Sequence, residues 1–250
     1  MSELHAVANE MVKKGKGILA ADESTPTCTK RFESINTEST TESRNFYRNM
    51  LFTSEDIEKY ISGIILFDET FHQSELSSGM KFPEYLTSKK ILPGIKVDQG
   101  LEDFSPYEKL TKGLDGLSER LEKYYSLGAK FAKWRAVITP GDSIPTDDCI
   151  LANAKSLAKY AKKCQQANLV PIVEPEVLMD GAHTIDESFD ITSRTLNMVF
   201  DQLDEHNVSL QGIVLKPNMI LSGYECSYQA SIEEVAEKTI NCLSAHVPSE

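Results

Sequence analysis

The stretch Gly212-Ile213-Val214-Leu215-Lys216-Pro217-Asn218 is a short apolar run that ends in one lysine followed by a proline. Because the run is apolar on both faces, we predict a fully buried strand of a parallel sheet. Pro217 has no backbone N–H to donate, so regular pairing should stop there. Lys216 then lies at the carboxyl end of a strand, where parallel α/β folds build their sites.

Lys216 has two interpretations when it is considered alone. A lysine held in an apolar, crowded place loses its proton more easily, and the neutral amine can attack a ketone. The alternative is a lysine whose side chain reaches water from the strand end, which is the more common case for a single lysine. Four other strand-like segments also carry charged residues near their ends, and this recurrence favours a functional site.

The rest of the chain alternates between apolar strand-like runs and amphipathic helices. Further strands are predicted at 18–21, 62–68, 94–98, 131–135 and 169–176. Helices are predicted at 1–14, 41–52, 114–124, 151–161 and 189–203, with a polar loop before the second of them. A capping-box pattern at 231–234 opens a final helix. No linker or low-complexity segment divides the sequence, so we predict one domain over residues 1–250.

This alternation predicts parallel βα units, which fit either an open doubly wound sheet or a (β/α)₈ barrel. The dinucleotide-binding form of the doubly wound sheet requires G-x-G-x-x-G after the first strand. Gly15 and Gly17 lie before that strand, and a third glycine is absent. A barrel instead distributes its chemistry over the ends of many strands. We therefore predict an α/β fold of the (β/α)₈ TIM-barrel family, with about six βα units in this chain.

Charged residues recur two positions apart at the predicted strand ends. Side chains alternate between the two faces of a strand, so residues spaced by two share a face. Each pair taken alone also fits a solvated strand end with a surface ion pair. Their convergence at several strand ends favours a site in the mouth of the barrel. The pairs are Lys96 with Asp98, Lys133 with Arg135, and Glu174 with Glu176.

Charge and hydropathy narrow the functional classes. The 26 basic and 38 acidic residues give a formal net charge of −12. An acidic chain without a basic cluster is not expected to bind nucleic acid or an anionic membrane surface. No apolar run is long enough to span a membrane, and residues 1–17 lack the apolar segment of a signal peptide. We expect a cytoplasmic protein.

The five cysteines and five histidines show no metal-ligand spacing. No two cysteines form a C-x-x-C pair, and an odd number of them fits free thiols in a reducing compartment. The histidines form no H-E-x-x-H pattern. We therefore predict no metal site.

Six stretches of the sequence form a recognisable set: GKGILAADEST at 15–25, GIKVD at 94–98, GLDGLSER at 113–120, FAKWR at 131–135, VPIVEPE at 170–176 and LKPNM at 215–219. Together these motifs resemble those of class I fructose-bisphosphate aldolases. The resemblance covers nearly the whole chain, and the combination of motifs is highly specific. It implies a TIM barrel that cleaves fructose 1,6-bisphosphate to dihydroxyacetone phosphate and glyceraldehyde 3-phosphate in glycolysis and gluconeogenesis. It also implies a lysine Schiff base, no cofactor, and a homotetramer.

By this resemblance, five residues carry the catalysis. Lys216 is the Schiff-base lysine, and Lys133 is its cationic neighbour. Glu174 is the principal acid and base, and Glu176 supports it. Asp22 orients the intermediate and the C4 hydroxyl. The chemistry agrees, because a protonated imine withdraws electrons from a breaking C–C bond better than a ketone does. A second ammonium nearby favours a neutral Lys216, and a carboxylate in a partly dry pocket can transfer protons.

The resemblance also assigns the phosphate contacts. Lys96, Arg135 and Ser24 match substrate or phosphate contacts, and the lysines and Arg135 would make the mouth locally positive in an acidic chain. Pro26 and Thr27 stand where the family usually has glycine and serine. Thr27 keeps a hydroxyl, whereas Pro26 is expected to stiffen the loop and removes a donor.

Other departures lie after the third strand and at the end of the sequence. Gln99 replaces a common lysine, and residues 101–111 do not match the family pattern. Family members continue past the position of Glu250 with two more strands, a serine- and glycine-rich phosphate loop, an arginine and a tail ending in tyrosine. We therefore expect this chain to lack the family's site for the near phosphate.

Two alternatives to an active aldolase stay open at this point. One is a catalytically impaired remnant that acts as a binding or scaffolding protein. The other is a different Schiff-base aldolase of the barrel class, resembling transaldolase, which would lack the phosphate contacts Lys96 and Arg135.

Overall fold

The computed structural model describes residues 3–249 as a set of parallel βα units. A short 3₁₀ helix, Leu210–Gly212, precedes the last strand. The strands are β1 Gly17–Ala21, β2 Ile61–Leu66, β3 Leu92–Lys96, β4 Leu101–Ser105, β5 Glu108–Thr111, β6 Phe131–Ile138, β7 Val170–Val177 and β8 Val214–Leu215. The α-helices are α1 Glu3–Met11, α2 Thr25–Glu33, α3 Thr41–Phe52, α4 Ile57–Tyr60, α5 Asp68–His72, α6 Phe82–Ser88, α7 Leu117–Ser126, α8 Asp147–Gln166, α9 Ile185–Glu205 and α10 Ile232–His246.

Six strands form one sheet in the order β1-β2-β3-β6-β7-β8, and every neighbouring pair is parallel. The order follows the chain without a reversal, and the sheet curls into a half-barrel. A doubly wound sheet reverses its strand order at a switch point, so this topology excludes that alternative. The prediction of a TIM-barrel-like α/β fold with about six strands is confirmed.

The six predicted strands and the main predicted helices are all present. The helix predicted at 41–52 has those bounds in α3, and the Thr40 hydroxyl caps it by accepting from the Ser43 N–H. The helix predicted at 1–14 corresponds to α1, and residues 1 and 2 of that prediction lie outside the described residues. Apolar runs and helical periodicity therefore located the six strands of the main sheet and the main helices.

The polar loop predicted before α3 is wrong in part, because helix α2 begins at Thr25. Pro26 lies in the first turn of α2, where a missing N–H costs no helical hydrogen bond and the fixed φ of proline suits the helix. Pro26 therefore starts a helix here, and the expectation of a stiffened loop is corrected.

The prediction of a fully buried strand over 212–218 is also wrong in part. Only Val214 and Leu215 pair with β7, and the Lys216 N–H still donates to the Val173 carbonyl at 2.9 Å. Regular pairing ends before Pro217, as predicted. Since β8 is paired on one side only among the described residues, Val214 and Leu215 are partly exposed rather than buried.

Residues 101–111, which match no family pattern, form the antiparallel hairpin β4–β5. Its buried Glu108 carboxylate accepts from the Thr146 N–H at 2.7 Å, just before α8. This hairpin was not predicted, because its strands lack the apolar runs of the main sheet.

The main core lies between the sheet and its covering helices. Trp134 on β6 stacks on Tyr160 of α8, with ring centroids 5.5 Å apart. Leu157, one turn earlier on α8, is completely buried in the same core. Helix α8 is therefore anchored to β6 and β7 by large apolar contacts.

We expect Leu157→Ala to lower the free energy of unfolding by about 2–5 kcal/mol, because it removes buried methyl groups and leaves a cavity. Urea unfolding followed by circular dichroism measures this change. Lys159→Ala, at an exposed position of the same helix, is the control and should change the value by no more than about 0.5 kcal/mol. Equal stability of the two variants would contradict this packing.

Candidate active site

The sheet register places charged side chains from several strands on one face. Lys96 on β3 is the Cα partner of Lys133 on β6, and Arg135 is the partner of Glu174 on β7. Register partners in a parallel sheet point to the same face, as do residues two apart on one strand. Asp22 follows the last residue of β1. These groups therefore gather at the carboxyl ends of the strands.

The centre of this group is the buried Glu174 carboxylate, which contacts two lysines. Its Oε2 lies 3.2 Å from Lys133 Nζ, and its Oε1 contacts Lys216 Nζ. Lys133 also donates to Asp22 Oδ2 at 3.1 Å. Asp22, Lys133, Glu174 and Lys216 thus form a continuous row of alternating charges. We call these four residues the lysine–carboxylate row.

Lys133 is buried within this row, and its charge depends on its partners. Burial alone would lower the pKa of Lys133, but the nearby Asp22 and Glu174 carboxylates outweigh it and raise that pKa. Lys133 is therefore a fixed ammonium at neutral pH. Its charge also offsets the repulsion between the two carboxylates.

Lys216 has a different environment from the one expected. Half of its side-chain surface is exposed (50%), because β8 has no neighbour on its outer side among residues 3–249. Of the two interpretations of Lys216, the exposure matches a side chain that reaches water from the strand end and not one held in an apolar, crowded place. Glu174 forms ion pairs with both lysines, so a carboxylate lies between Lys133 and Lys216 instead of leaving simple repulsion. The same carboxylate is the nearest base for the Lys216 proton.

The other predicted cations are also paired with carboxylates. Lys96 contacts the Asp98 side chain and donates to the Asp98 carbonyl at 2.9 Å. Arg135 contacts the Glu176 carboxylate. Within the predicted same-face pairs, Lys96 and Asp98 contact each other. Glu174 and Glu176 do not pair with each other, and each contacts a cation on another strand or at its end. An anionic ligand would have to draw Lys96 and Arg135 away from these partners.

Ser24 and Thr27, the predicted hydroxyl contacts, lie at the start of α2. Their hydroxyl oxygens are 3.0 Å apart and share a hydrogen bond. Ser24 occupies the N-cap position without making a side-chain cap bond, and Thr27 is exposed. Both hydroxyls therefore remain able to turn toward a ligand.

A cleft of about 740 Å³ opens beside the lysine–carboxylate row. Four of the predicted site residues line it: Ser24, Lys96, Lys133 and Arg135. The remaining predicted residues lie beyond its lining, and Lys133 is the member of the row that reaches into it. The cleft and the row therefore adjoin at Lys133.

One part of the cleft lining, formed by residues after β2 and on α7, was not predicted from the sequence. Tyr124 of α7 donates to Asp68 Oδ1 at 2.6 Å, and both residues line the cleft with Phe67. Burial, together with the hydrogen bond to the Asp68 carboxylate, raises the pKa of Tyr124 well above its usual range. Phe67 and Asp68 directly follow β2, as Asp22 follows β1. Looking for polar residues at the end of the second strand would therefore have identified Asp68.

Within the described residues, no cluster of three or more histidine, cysteine, aspartate or glutamate side chains could hold a metal ion. Among residues 3–249, no helix combines the length and hydropathy needed to cross a membrane.

A parallel sheet that curls in chain order, with an amine and carboxylates gathered at its carboxyl edge, defines an α/β barrel-type enzyme site. The family model for fructose-bisphosphate aldolase class-I matches residues 3–250. The chain therefore belongs to the class I fructose-bisphosphate aldolase family, whose members are lyases. The binding or scaffolding alternative is not favoured.

Relatives with this family name are similar over the full chain. A probable fructose-bisphosphate aldolase class 1 from Xanthomonas axonopodis pv. citri is 51% identical over 251 residues, covering 100% of this chain and 75% of that protein. Fructose-bisphosphate aldolase 1 from Toxoplasma gondii is 50% identical, covering 98% of this chain and 69% of that protein. This chain therefore spans about 70–75% of the length of these relatives.

A solved structure shows the same fold. The fructose-bisphosphate aldolase of Plasmodium falciparum, crystallised with TRAP and a small-molecule inhibitor, superposes with a TM-score of 0.95 at 47% identity. The match covers 98% of this chain and 72% of that chain.

Proposed function

We propose that this chain cleaves fructose 1,6-bisphosphate reversibly to dihydroxyacetone phosphate and glyceraldehyde 3-phosphate through a Schiff base on Lys216. The observation that carries this proposal is the lysine–carboxylate row, in which Glu174 contacts Lys216 directly and Lys133 on its other oxygen. This arrangement joins a primary amine, a proton acceptor and a fixed cation, which are the groups that imine catalysis needs.

The first step forms the imine. Glu174 takes a proton from the Lys216 ammonium, and the neutral amine attacks the C2 carbonyl carbon of the substrate. The resulting carbinolamine loses its hydroxyl as water when Glu174 returns a proton to that oxygen. The product is a protonated imine between Lys216 and C2.

The second step breaks the bond between C3 and C4. A carboxylate takes the proton of the C4 hydroxyl, and the bonding electrons move to C3 and the iminium as an enamine. We assign the proton transfer to Glu174 and the orientation of the C4 hydroxyl to Asp22. Glyceraldehyde 3-phosphate leaves, the enamine is protonated at C3, and water hydrolyses the imine to release dihydroxyacetone phosphate.

Lys133 and Glu176 have supporting roles in this scheme. Lys133 contacts both Asp22 and Glu174, so its fixed charge holds the two carboxylates toward the same point. Glu176 lies two residues beyond Glu174 on β7 and contacts Arg135. We propose that Glu176 supports Glu174 by balancing the positive charge of Arg135.

The phosphate contacts of this proposal lie in the cleft. Lys96 and Arg135 line it, and Ser24 lies at its edge with Thr27 beside it. A phosphate dianion would replace the Asp98 and Glu176 carboxylates as partner of these cations. Since Lys96 and Arg135 come from different strands, they can hold one phosphate from two sides.

A coupled assay tests the proposal directly. Purified chain is mixed with fructose 1,6-bisphosphate, and dihydroxyacetone phosphate is measured by its reduction with NADH. We expect NADH oxidation that depends on both protein and substrate. Fructose 1-phosphate in a parallel reaction tests the preference for a bisphosphate. A chain that cleaves neither sugar and forms no adduct with dihydroxyacetone phosphate would contradict the proposal.

We expect a chelator to leave the cleavage rate unchanged. The iminium on Lys216 accepts the electrons of the breaking bond, so no metal ion is required for that step. The rate is measured before and after dialysis against EDTA, and again after adding Zn²⁺. A rate that falls on dialysis and returns with Zn²⁺ would show that a different mechanism operates.

The resemblance also implies a homotetramer that works in the cytoplasm on sugar phosphates. The homotetramer and the cytoplasmic location are both part of this proposal. Size-exclusion chromatography with light scattering tests the assembly, and a dominant monomer peak at working concentration would overturn it.

A further inference from the structure

A buried arginine lies directly behind Asp22. Arg48 of α3 is 1% exposed, and its guanidinium reaches the chain on both sides of that aspartate. Its Nε donates to the Ala21 carbonyl at 3.0 Å, and its Nη2 donates to the Glu23 carbonyl at 2.9 Å. These carbonyl groups belong to the residues immediately before and after Asp22.

The same guanidinium has two further partners. Its Nη2 lies 3.1 Å from the Glu23 carboxylate, and its Nη1 donates to Cys28 Sγ at 2.9 Å. Cys28 belongs to α2, which follows the Asp22 segment. All three nitrogens of Arg48 are therefore engaged, and the rigid fork of the guanidinium fixes the distances among these partners.

The backbone around Asp22 lies outside the regular elements, so the Arg48 hydrogen bonds are important for its conformation. Residues 22–24 lie between β1 and α2 and belong to neither element. The direction of the Asp22 side chain is therefore not set by the hydrogen bonds of a strand or a helix. Its carboxylate nevertheless lies 3.1 Å from Nζ of Lys133 on β6, although β2 and β3 separate β1 from β6 in the sheet order.

We propose that Arg48 is a positioning residue that fixes the backbone on both sides of Asp22 and so directs its carboxylate to Lys133. Arg48 is buried behind the segment and is outside the lining of the cleft. It therefore acts through Asp22 and not on the substrate. The inference rests on the proposed function only for what Asp22 does to the substrate.

The test compares variants of Arg48 with a matched variant on the same helix. Arg48→Met removes every donor, and Arg48→Lys keeps the charge but cannot span both carbonyls. Arg44→Met is the control, because Arg44 is also buried on α3 and pairs with Glu69 at 2.6 Å. It should lose comparable stability without disturbing Asp22.

The first readout does not depend on catalysis. The reactivity of Lys133 toward acetic anhydride is followed against pH by mass spectrometry, which gives the pKa of its amine. The Asp22 carboxylate raises that pKa, so it should fall in Asp22→Asn and in Arg48→Met. It should stay unchanged in Arg44→Met. An unchanged Lys133 pKa in Arg48→Met would overturn the inference, whether or not the chain cleaves sugar phosphates.

The second readout is kinetic. A misdirected carboxylate should lower kcat by about 10²-fold, with KM nearly unchanged and with borohydride trapping on Lys216 retained. Arg48→Lys should recover part of the rate, and Arg44→Met should keep all of it. Should Arg48→Met fail to fold, the same pKa and kcat measurements on Arg48→Lys decide the question. Equal kcat values for the wild type and Arg48→Lys, with equal Lys133 pKa values, would overturn the inference.

Discussion

Replacing Lys216 by methionine should lower the cleavage rate by at least about 10⁴-fold, the scale seen when a covalent nucleophile is removed. Methionine has a similar length but no amine, so it can form no imine with the substrate. Without the iminium, the electrons of the C3–C4 bond have no acceptor. The measurement is kcat for fructose 1,6-bisphosphate, with circular dichroism to show that the variant is folded.

A surface lysine provides the control for this change. Lys162 on α8 is partly exposed, and its amine donates to the Asn207 carbonyl at 2.8 Å, outside the row and outside the lining of the cleft. Lys162→Met should keep the wild-type rate. A Lys216→Met variant that also keeps this rate would show that another group, or another mechanism, cleaves the substrate.

The second large effect is expected for Glu174→Gln. The amide keeps the shape of the side chain but cannot take a proton, so imine formation and C3–C4 cleavage both lose their base. General acid–base groups contribute about 10²–10⁴-fold, and we expect kcat to fall within that range. The substitution also removes the carboxylate that Lys133 and Lys216 share.

Glu176→Gln is the matched control for Glu174→Gln. Glu176 lies on the same strand and faces the same side, but its side chain is more exposed and its partner is Arg135. We expect a smaller loss of kcat and a larger effect on KM, because Arg135 then changes its charge partner beside the cleft. A larger loss of kcat in Glu176→Gln than in Glu174→Gln would reverse these two assignments.

The fold could be predicted from the sequence because its signals are local. Apolar runs identified the six strands of the sheet, and helical spacing identified α3, α7, α8 and α9. Chain order then gave the sheet order, since each strand pairs with the next one through a covering helix or hairpin. Short elements such as α4 and α5 were missed, because one turn of helix has too few residues to show a period.

The sequence indicated which charged residues gather at the candidate site, but not how their charges pair. The strand ends pointed to Lys96, Lys133, Glu174 and Lys216, since each follows an apolar run. The structure adds that Glu174 forms ion pairs with both Lys133 and Lys216. Distances between side chains on different strands depend on register and twist, and a single sequence contains neither.

Arg48 and Tyr124 also make contacts that a single sequence does not predict. Both lie within predicted helices and were not singled out, and in the structure both contact residues at strand ends. Arg48 reaches Ala21 across 27 positions, and Tyr124 reaches Asp68 across 56. Contacts of this kind follow from how helices pack on the sheet, which local patterns do not specify.

The central claim is that Lys216 forms the Schiff base, and covalent trapping tests it most directly. The protein is incubated with dihydroxyacetone phosphate and reduced with borohydride, which converts an imine to a stable secondary amine. Proteolysis and mass spectrometry then locate the added group. We predict an adduct on Lys216 and none on Lys133 or Lys96. An adduct on either of those lysines, with Lys216 unmodified, would contradict the account.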